Sequence, residues 1–143
     1  EAVWYTGRMM GEVLSQTLTG TPTAYQPGHW FNSAKFLDIE YQTYGWVWVN
    51  PKENEAHFYW EHPKGKKAVR IAFDRENRTF LGINTFGIRM RHAFFDQVLT
   101  EKQTVDYVVT HLKKANFDPE FFTSYEAEIQ KQFNAQFVIV KSL

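Results

Sequence analysis

Hydrophobic and polar positions change their period twice along this chain. Over residues 6–20 the apolar positions Met9, Met10, Val13, Leu14 and Leu18, with Thr17, recur at helical spacing. Gly20 is placed to end that helix, and Pro22 follows it. A loop with the turn signal Pro27-Gly28 comes next. From Phe36 the period becomes two: Leu37, Ile39 and Tyr41 alternate with Asp38, Glu40 and Gln42, which predicts a half-buried strand. Residues 46–49 are apolar on both faces and predict a second strand. Residues 56–61 predict another, with Phe58 and Trp60 on one side and His57 and Tyr59 on the other. Val69, Ile71 and Phe73 mark the next, and residues 78–86 the last. The short turns between them indicate an antiparallel meander.

The last third is helical. A short helix is expected over residues 91–99. Thr100 and Gln103 form a capping-box pattern, and Val105, Val108, Val109 and Leu112 make one apolar stripe, read as core packing. Asp118-Pro119 reads as a cap with proline at the first helical position. Phe122, Tyr125, Ile129 and Phe133 continue that helix, and residues 137–140 could add a final strand. Strands first and helices after give an α+β fold: a meander sheet with C-terminal helices on one face, preceded by a lone helix. That first helix has no strand partner before it, which suggests a piece of a longer protein.

Composition narrows the function classes. The chain has 143 residues, about one domain, with 16 basic and 16 acidic side chains. No net field draws it to nucleic acid. It has no cysteine, which excludes a disulfide framework, a thiolate metal site and a dithiol redox pair. No apolar run approaches the roughly 20 residues of a membrane helix, and Glu1–Tyr5, without a basic stretch or a long apolar one, is not expected to be a signal peptide. A cytoplasmic location fits. The unusual quantity is the aromatic content of 17%. It serves a compact core, or a surface meant for another domain, a subunit or a flat ligand.

Several polar groupings invite chemistry and have plainer readings. His57, Glu61 and His62 lie close in sequence, but His62 breaks the strand parity and no second ligand group appears, so solvent-facing strand polar groups are expected. Asp38 and Glu40 share one strand face at roughly 7 Å, within the range of paired acid catalysis. Outward acids on a half-solvated strand are the ordinary reading. Lys64, Lys66, Lys67 and Arg70 suit a hairpin tip that stays soluble. Lys35 reads as a surface lysine.

Two segments resemble a known family. WYTGRMMGEVLSQTLTG resembles the closing helix of the FAD domain in pyridine-nucleotide-dependent flavoprotein oxidoreductases, of the form A-x-x-x-G-x-x-x-A-x-x-I-x-G. Gly11 and Gly20 fall on its glycines, Ser15 on its inner small residue and Leu18 on its isoleucine. YQPGHWFNSAKFLDIEYQTYG resembles the start of the C-terminal domain in the ferredoxin-reductase-like branch, where a proline loop leads into F-W-S-D-Q. Phe31 and Ser33 match; Asn32 stands for the tryptophan and Ala34 for the aspartate, with Trp30 one position earlier.

The resemblance implies that residues 1–20 are the terminal helix of an FAD-binding domain and 21–143 a C-terminal α+β domain. It implies that Trp30, Phe31, Asn32 and Ser33 border the flavin. The expected partners are the FAD and nucleotide-binding domains of the same polypeptide, with a homodimer as a further expected contact. FAD and NAD(P)H would belong to the parent oxidoreductase. No G-x-G-x-x-G follows a strand here, so no cofactor and no catalysis are expected of the chain alone. The other reading is a free-standing module whose aromatic cleft takes a small planar ligand.

Overall fold

The computed structural model describes residues 3–117 and 123–137. It begins with helix α1 (Trp4–Leu18), followed by strands β1 (Phe31–Phe36), β2 (Ile39–Gly45), β3 (Glu55–Glu61), β4 (Ala68–Asp74) and β5 (Phe80–Phe86). Helices α2 (His92–Thr100) and α3 (Val105–Thr110), a 3-10 turn (Leu112–Ala115) and helix α4 (Glu126–Phe137) complete it. The architecture is α+β with an antiparallel sheet and a preceding helix, as the change of period indicates. The expected Asp118-Pro119 cap and Phe122 fall outside the described residues; of the strand expected at 137–140, Phe137 ends α4 instead and the rest falls outside the described residues.

The strand order is β1-β2-β5-β4-β3. The meander holds within β3–β5, and β1–β2 is a hairpin of its own. β5 then lies between β2 and β4, so the connection from β2 to β3 crosses to the far edge of the sheet. Local periodicity reports which residues alternate, not which strands are neighbours.

Helices α2–α4 cover one face. Tyr44, Ile83, Ile71 and Phe58 form one cross-strand row on that face, and all are buried. Above them lie Phe95 and Val98 of α2, Val105, Val108 and Val109 of α3, Leu112, and Ile129 and Phe133 of α4. Phe133 meets Phe58 edge-on at 5.3 Å and Phe73 at 6.2 Å. The Arg78 guanidinium lies over the Phe73 and Phe133 rings and reaches Asp106 with both Nε and a terminal nitrogen, at 2.6 and 2.7 Å.

Three sequence expectations are corrected. The alternation running through Phe36–Gln42 is not one strand: the chain turns at Leu37 and Asp38, pairing Phe36 with Ile39. Leu-Asp is not a glycine turn signal, so period two hid the hairpin, and β1 was hidden inside the proline loop. Residues 46–49 form no strand. Gly45 at φ 67 redirects the chain, and Trp46 gives β5 a single bond, from its N–H to the Leu81 carbonyl at 3.0 Å. The cap of α3 is Thr104, whose hydroxyl accepts from Tyr107 N–H at 3.2 Å, rather than Thr100. Thr100 ends α2 and bonds back to the Asp96 carbonyl.

Helix α1 ends as the sequence indicates. Gly20 at φ 95 follows Thr19, and the N–H groups of Gly20 and Thr21 return to the carbonyls of Thr17 and Gln16.

Two glycines at positive φ should respond differently to alanine. At Gly20 an added Cβ meets open space, so Gly20→Ala should lower stability by about 1 kcal/mol through backbone strain alone. At Gly45 the same carbon would lie 2.3 Å from the Leu81 carbonyl oxygen. Gly45→Ala should therefore reduce the urea midpoint much more. Equal midpoints for the two variants would contradict this.

Candidate functional site

The segment Trp30–Ser33 begins where the loop from Gly28 (φ 67) enters the sheet. The Trp30 carbonyl accepts from Gly45 N–H at 2.7 Å, which closes the β1–β2 pair at this end. Strand alternation then divides the four residues between two faces. Phe31 pairs with Tyr44 and points toward the helices; Asn32 pairs with Thr43 on the outer face. The structure therefore does not aim all four side chains at a single point.

Each face has its own aromatic arrangement. On the helix side, the Phe31 ring lies between Tyr5 (4.9 Å, interplanar angle 8°) and His92 (4.1 Å). Tyr5 also donates its hydroxyl to the Phe31 carbonyl at 2.8 Å, with the Asn32 side-chain oxygen at 3.3 Å. Ser33 is exposed and lines, with Phe31, Gln42, Met90 and His92, a cleft of about 440 Å³. Tyr44 closes its floor: its buried hydroxyl donates to the Met90 carbonyl at 3.0 Å, and burial, aided by the Glu40 charge, pushes its pKa up to about 12. Tyr44 thus remains a neutral donor that fastens β2 to the entry of α2.

On the outer face, Trp30 stacks on Trp46 at 5.6 Å and 12°, and Trp46 stacks on Trp48 at 5.3 Å and 5°. Lys52 Nζ lies 4.9 Å from the centre of the Trp48 ring. These indoles, with Tyr41, Phe86 and the Thr43–Asn84 pair, line an open cavity of about 390 Å³. Trp46 and Trp48 remain 51% and 40% exposed, so the ladder presents ring surface outward. The sequence reading took residues 46–49 for a strand and missed it. The signal was W-V-W directly after Gly45, which puts alternate indoles on one side.

The loop bearing Trp46 and Trp48 is fastened from β3 and β4. Arg70 donates to the Val49 carbonyl at 3.1 Å and, through Nε, to His57 Nδ1 at 3.0 Å. Lys52 N–H donates to the buried Glu55 carboxylate at 3.1 Å. His57 is therefore not the solvent-facing residue that alternation suggested: the side chain is 9% exposed. Accepting from Arg70 places its proton on Nε2, which lies 3.6 Å from Glu55 and has no hydrogen-bond partner among the described residues. Burial, and then the Arg70 charge, hold His57 below the ordinary imidazole value, against the pull of Glu55.

The acidic and basic groupings separate. Asp38 lies in the turn and pairs with Lys66 at 2.9 Å; Glu40 lies in β2 and pairs with Arg89 at 2.7 Å. They are two ion pairs, not a carboxylate dyad. Among the described residues no three His, Asp or Glu side chains form a metal-binding group, and no helix is long and apolar enough to cross a membrane. No protein-family model matches the chain, and no curated protein matches it.

The His57 arrangement makes stability depend on pH. The folded pKa lies below the unfolded one, so the unfolded chain binds a proton first as pH drops below about 6.5. Stability should therefore fall over that window, and the fall should be smaller in His57→Gln. Urea midpoints at pH 7.5 and 5.5 check this; identical pH dependence in both proteins would remove His57 as its source.

Proposed function

We propose that the chain is the C-terminal domain of an FAD-dependent NAD(P)H oxidoreductase. In this reading it completes the flavin pocket and mediates domain or subunit contacts, and it is not catalytic alone. FAD and NAD(P)H are bound by other domains of the same polypeptide, in the cytoplasm. The observation that carries the reading is the state of α1. Its apolar stripe is left largely uncovered by the described residues: Met10, Leu14 and Leu18 are 48%, 57% and 77% exposed. Beside that stripe the Tyr25 hydroxyl is buried without a hydrogen-bond partner among the described residues. The first turn of the same helix is joined to β1 by Tyr5, next to Asn32. A helix that offers an apolar stripe on one side and grips the candidate site on the other suits a junction between two domains.

In the holoprotein the Trp30 ring would then exclude water on the outer side of β1, while Asn32 and Ser33, which line the cleft on its other side, would serve a polar edge only of a flavin that reaches around the strand end. Donors and acceptors there shift the flavin's electronics, while the hydride chemistry remains the cofactor's own. A second reading has its own observation. The cavity lined by Trp30, Tyr41, Trp46, Trp48 and Phe86 has the aromatic surface that a small planar ligand requires.

Trp30→Ala in the intact flavoprotein should change flavin fluorescence or reduction potential. It should cost well under the roughly 3–5 kcal/mol of a fully buried aromatic, because Trp30 is only half-buried. Both are measured on the same variant. A large stability loss with an unchanged flavin spectrum and potential returns Trp30 to a packing role.

A further inference from the structure

The turn between β1 and β2 exposes more apolar surface than its fold needs. Phe36 is 76% exposed, Leu37 91% and Ile39 46%. Leu37 also sits at φ 53, as the first central residue of a two-residue hairpin turn. Glycine takes such a position without strain; a branched apolar side chain does not. Three other non-glycine residues have positive φ, and each is a cation: Lys66, Arg78 and Lys102. Arg78 is compensated by its bonds to Asp106, and Lys66 by Asp38. Leu37 is both strained and, at 91% exposed, in water, with no offsetting bond among the described residues.

The surroundings of this tip carry charge of one prevailing sign. The Lys66–Asp38 pair brings the β3–β4 turn, with Lys64 and Lys67, against the β1–β2 turn. Arg89 reaches Glu40, and Lys67 Nζ donates to the Gly87 carbonyl. With Lys66 paired to Asp38 and Arg89 to Glu40, the charges left about the tip among the described residues are Lys35, Lys64 and Lys67 against Glu61, a positive surplus. From the tip the apolar surface continues along the outer face to Phe86, which packs against Tyr41 at 6.1 Å and is 43% exposed.

We infer that the β1–β2 tip docks the protein on an anionic lipid bilayer, with Phe36, Leu37 and Ile39 entering the headgroup boundary and the surrounding lysines meeting lipid phosphates. A convex apolar tip inside a collar of cations suits a fluid surface that opens around it. A protein partner would need a pocket already shaped for it. Apolar burial and electrostatic attraction add at such an interface, and neither suffices alone. The association is peripheral and reversible. It is independent of the flavoprotein reading.

Leu37→Gly separates docking from folding, because glycine accepts the backbone angle and deletes the anchor. The full chain and this variant are sedimented with phosphatidylcholine vesicles, with and without phosphatidylglycerol. We expect binding to the anionic vesicles, weakened by raised salt. Leu37→Gly should bind about tenfold more weakly, with a urea midpoint equal to or above that of the parent. Absence of binding to anionic vesicles overturns the inference, as does equal binding by both proteins. Binding to soluble polyglutamate as tight as to the vesicles, and indifferent to Leu37, would mark an acidic-protein surface and overturn it too.

Discussion

Gly45 and Gly82 face each other where β2 meets β5, and neither position has room for a side chain. A Cβ on Gly45 would lie 2.3 Å from the Leu81 carbonyl oxygen, and one on Gly82 2.6 Å from the Trp46 nitrogen. The sheet depends on this approach. The β2–β5 pairing is the only ladder between the β1–β2 hairpin and the β3–β5 meander among the described residues. It also directs what lies outside the ladder. With no side chain on either glycine, the chain leaves β2 close over β5, and Trp46 and Trp48 emerge beside Trp30. The aromatic ladder of the outer face is thus a consequence of two missing side chains.

Burial is uneven about that junction. On the β3–β5 side, rings from the sheet and from α2–α4 interlock, and Phe58, Phe73, Phe80, Phe95 and Phe133 are almost wholly removed from water. In β1 and β2 only Tyr44 and Gly45 are buried, and exposure increases toward the turn at Leu37. The high aromatic content therefore serves two ends. Those five phenylalanines fill the core, where dense packing rewards large apolar rings. Four of the five tryptophans stay half-buried or exposed, and three of them form one stack. Composition alone could not divide rings between core and surface.

The parts of the fold legible in the sequence are those where a face is buried against the helices. Val69, Ile71 and Phe73, and Val105, Val108, Val109 and Leu112, are all in the core, because burial imposes the period that the pattern reports. The misread parts lie where nothing covers the chain. Leu37 and Asp38 continue a strand-like alternation through a turn, since no burial distinguishes inside from outside there. The apolar run at 46–49 reads as strand because the ladder uses β-formers for ring stacking rather than pairing. His57 was misplaced for a third reason. Its position on the outer face was legible, but its cover by the 46–52 loop through Arg70 is a tertiary contact without a local signal. Of the candidate site, the aromatic and polar make-up of Trp30–Ser33 after the Pro27-Gly28 turn was readable. The division of those residues between two faces was not, because β1 itself went unrecognised.

That division shapes what the site can be. Phe31, clamped between Tyr5 and His92, is a structural ring whose two faces are already occupied. Trp30 has one face on Trp46 and is half-buried, so it keeps surface for a neighbour. Asn32 shares the strand parity of Trp30, but its side-chain oxygen lies near the Tyr5 hydroxyl and it lines the helix-side cleft. A flat partner approaching the outer side would therefore meet Trp30, and one approaching the helix-side cleft would meet Asn32 and Ser33 beside His92. Helix α1 stands at the boundary between these approaches, since Tyr5 holds Phe31 from one side and Met9 lines the cleft beneath Trp30. Displacing α1 would uncover the side of Phe31 that Tyr5 covers, and the Asn32 oxygen with it. The packing of that helix therefore bears on both approaches.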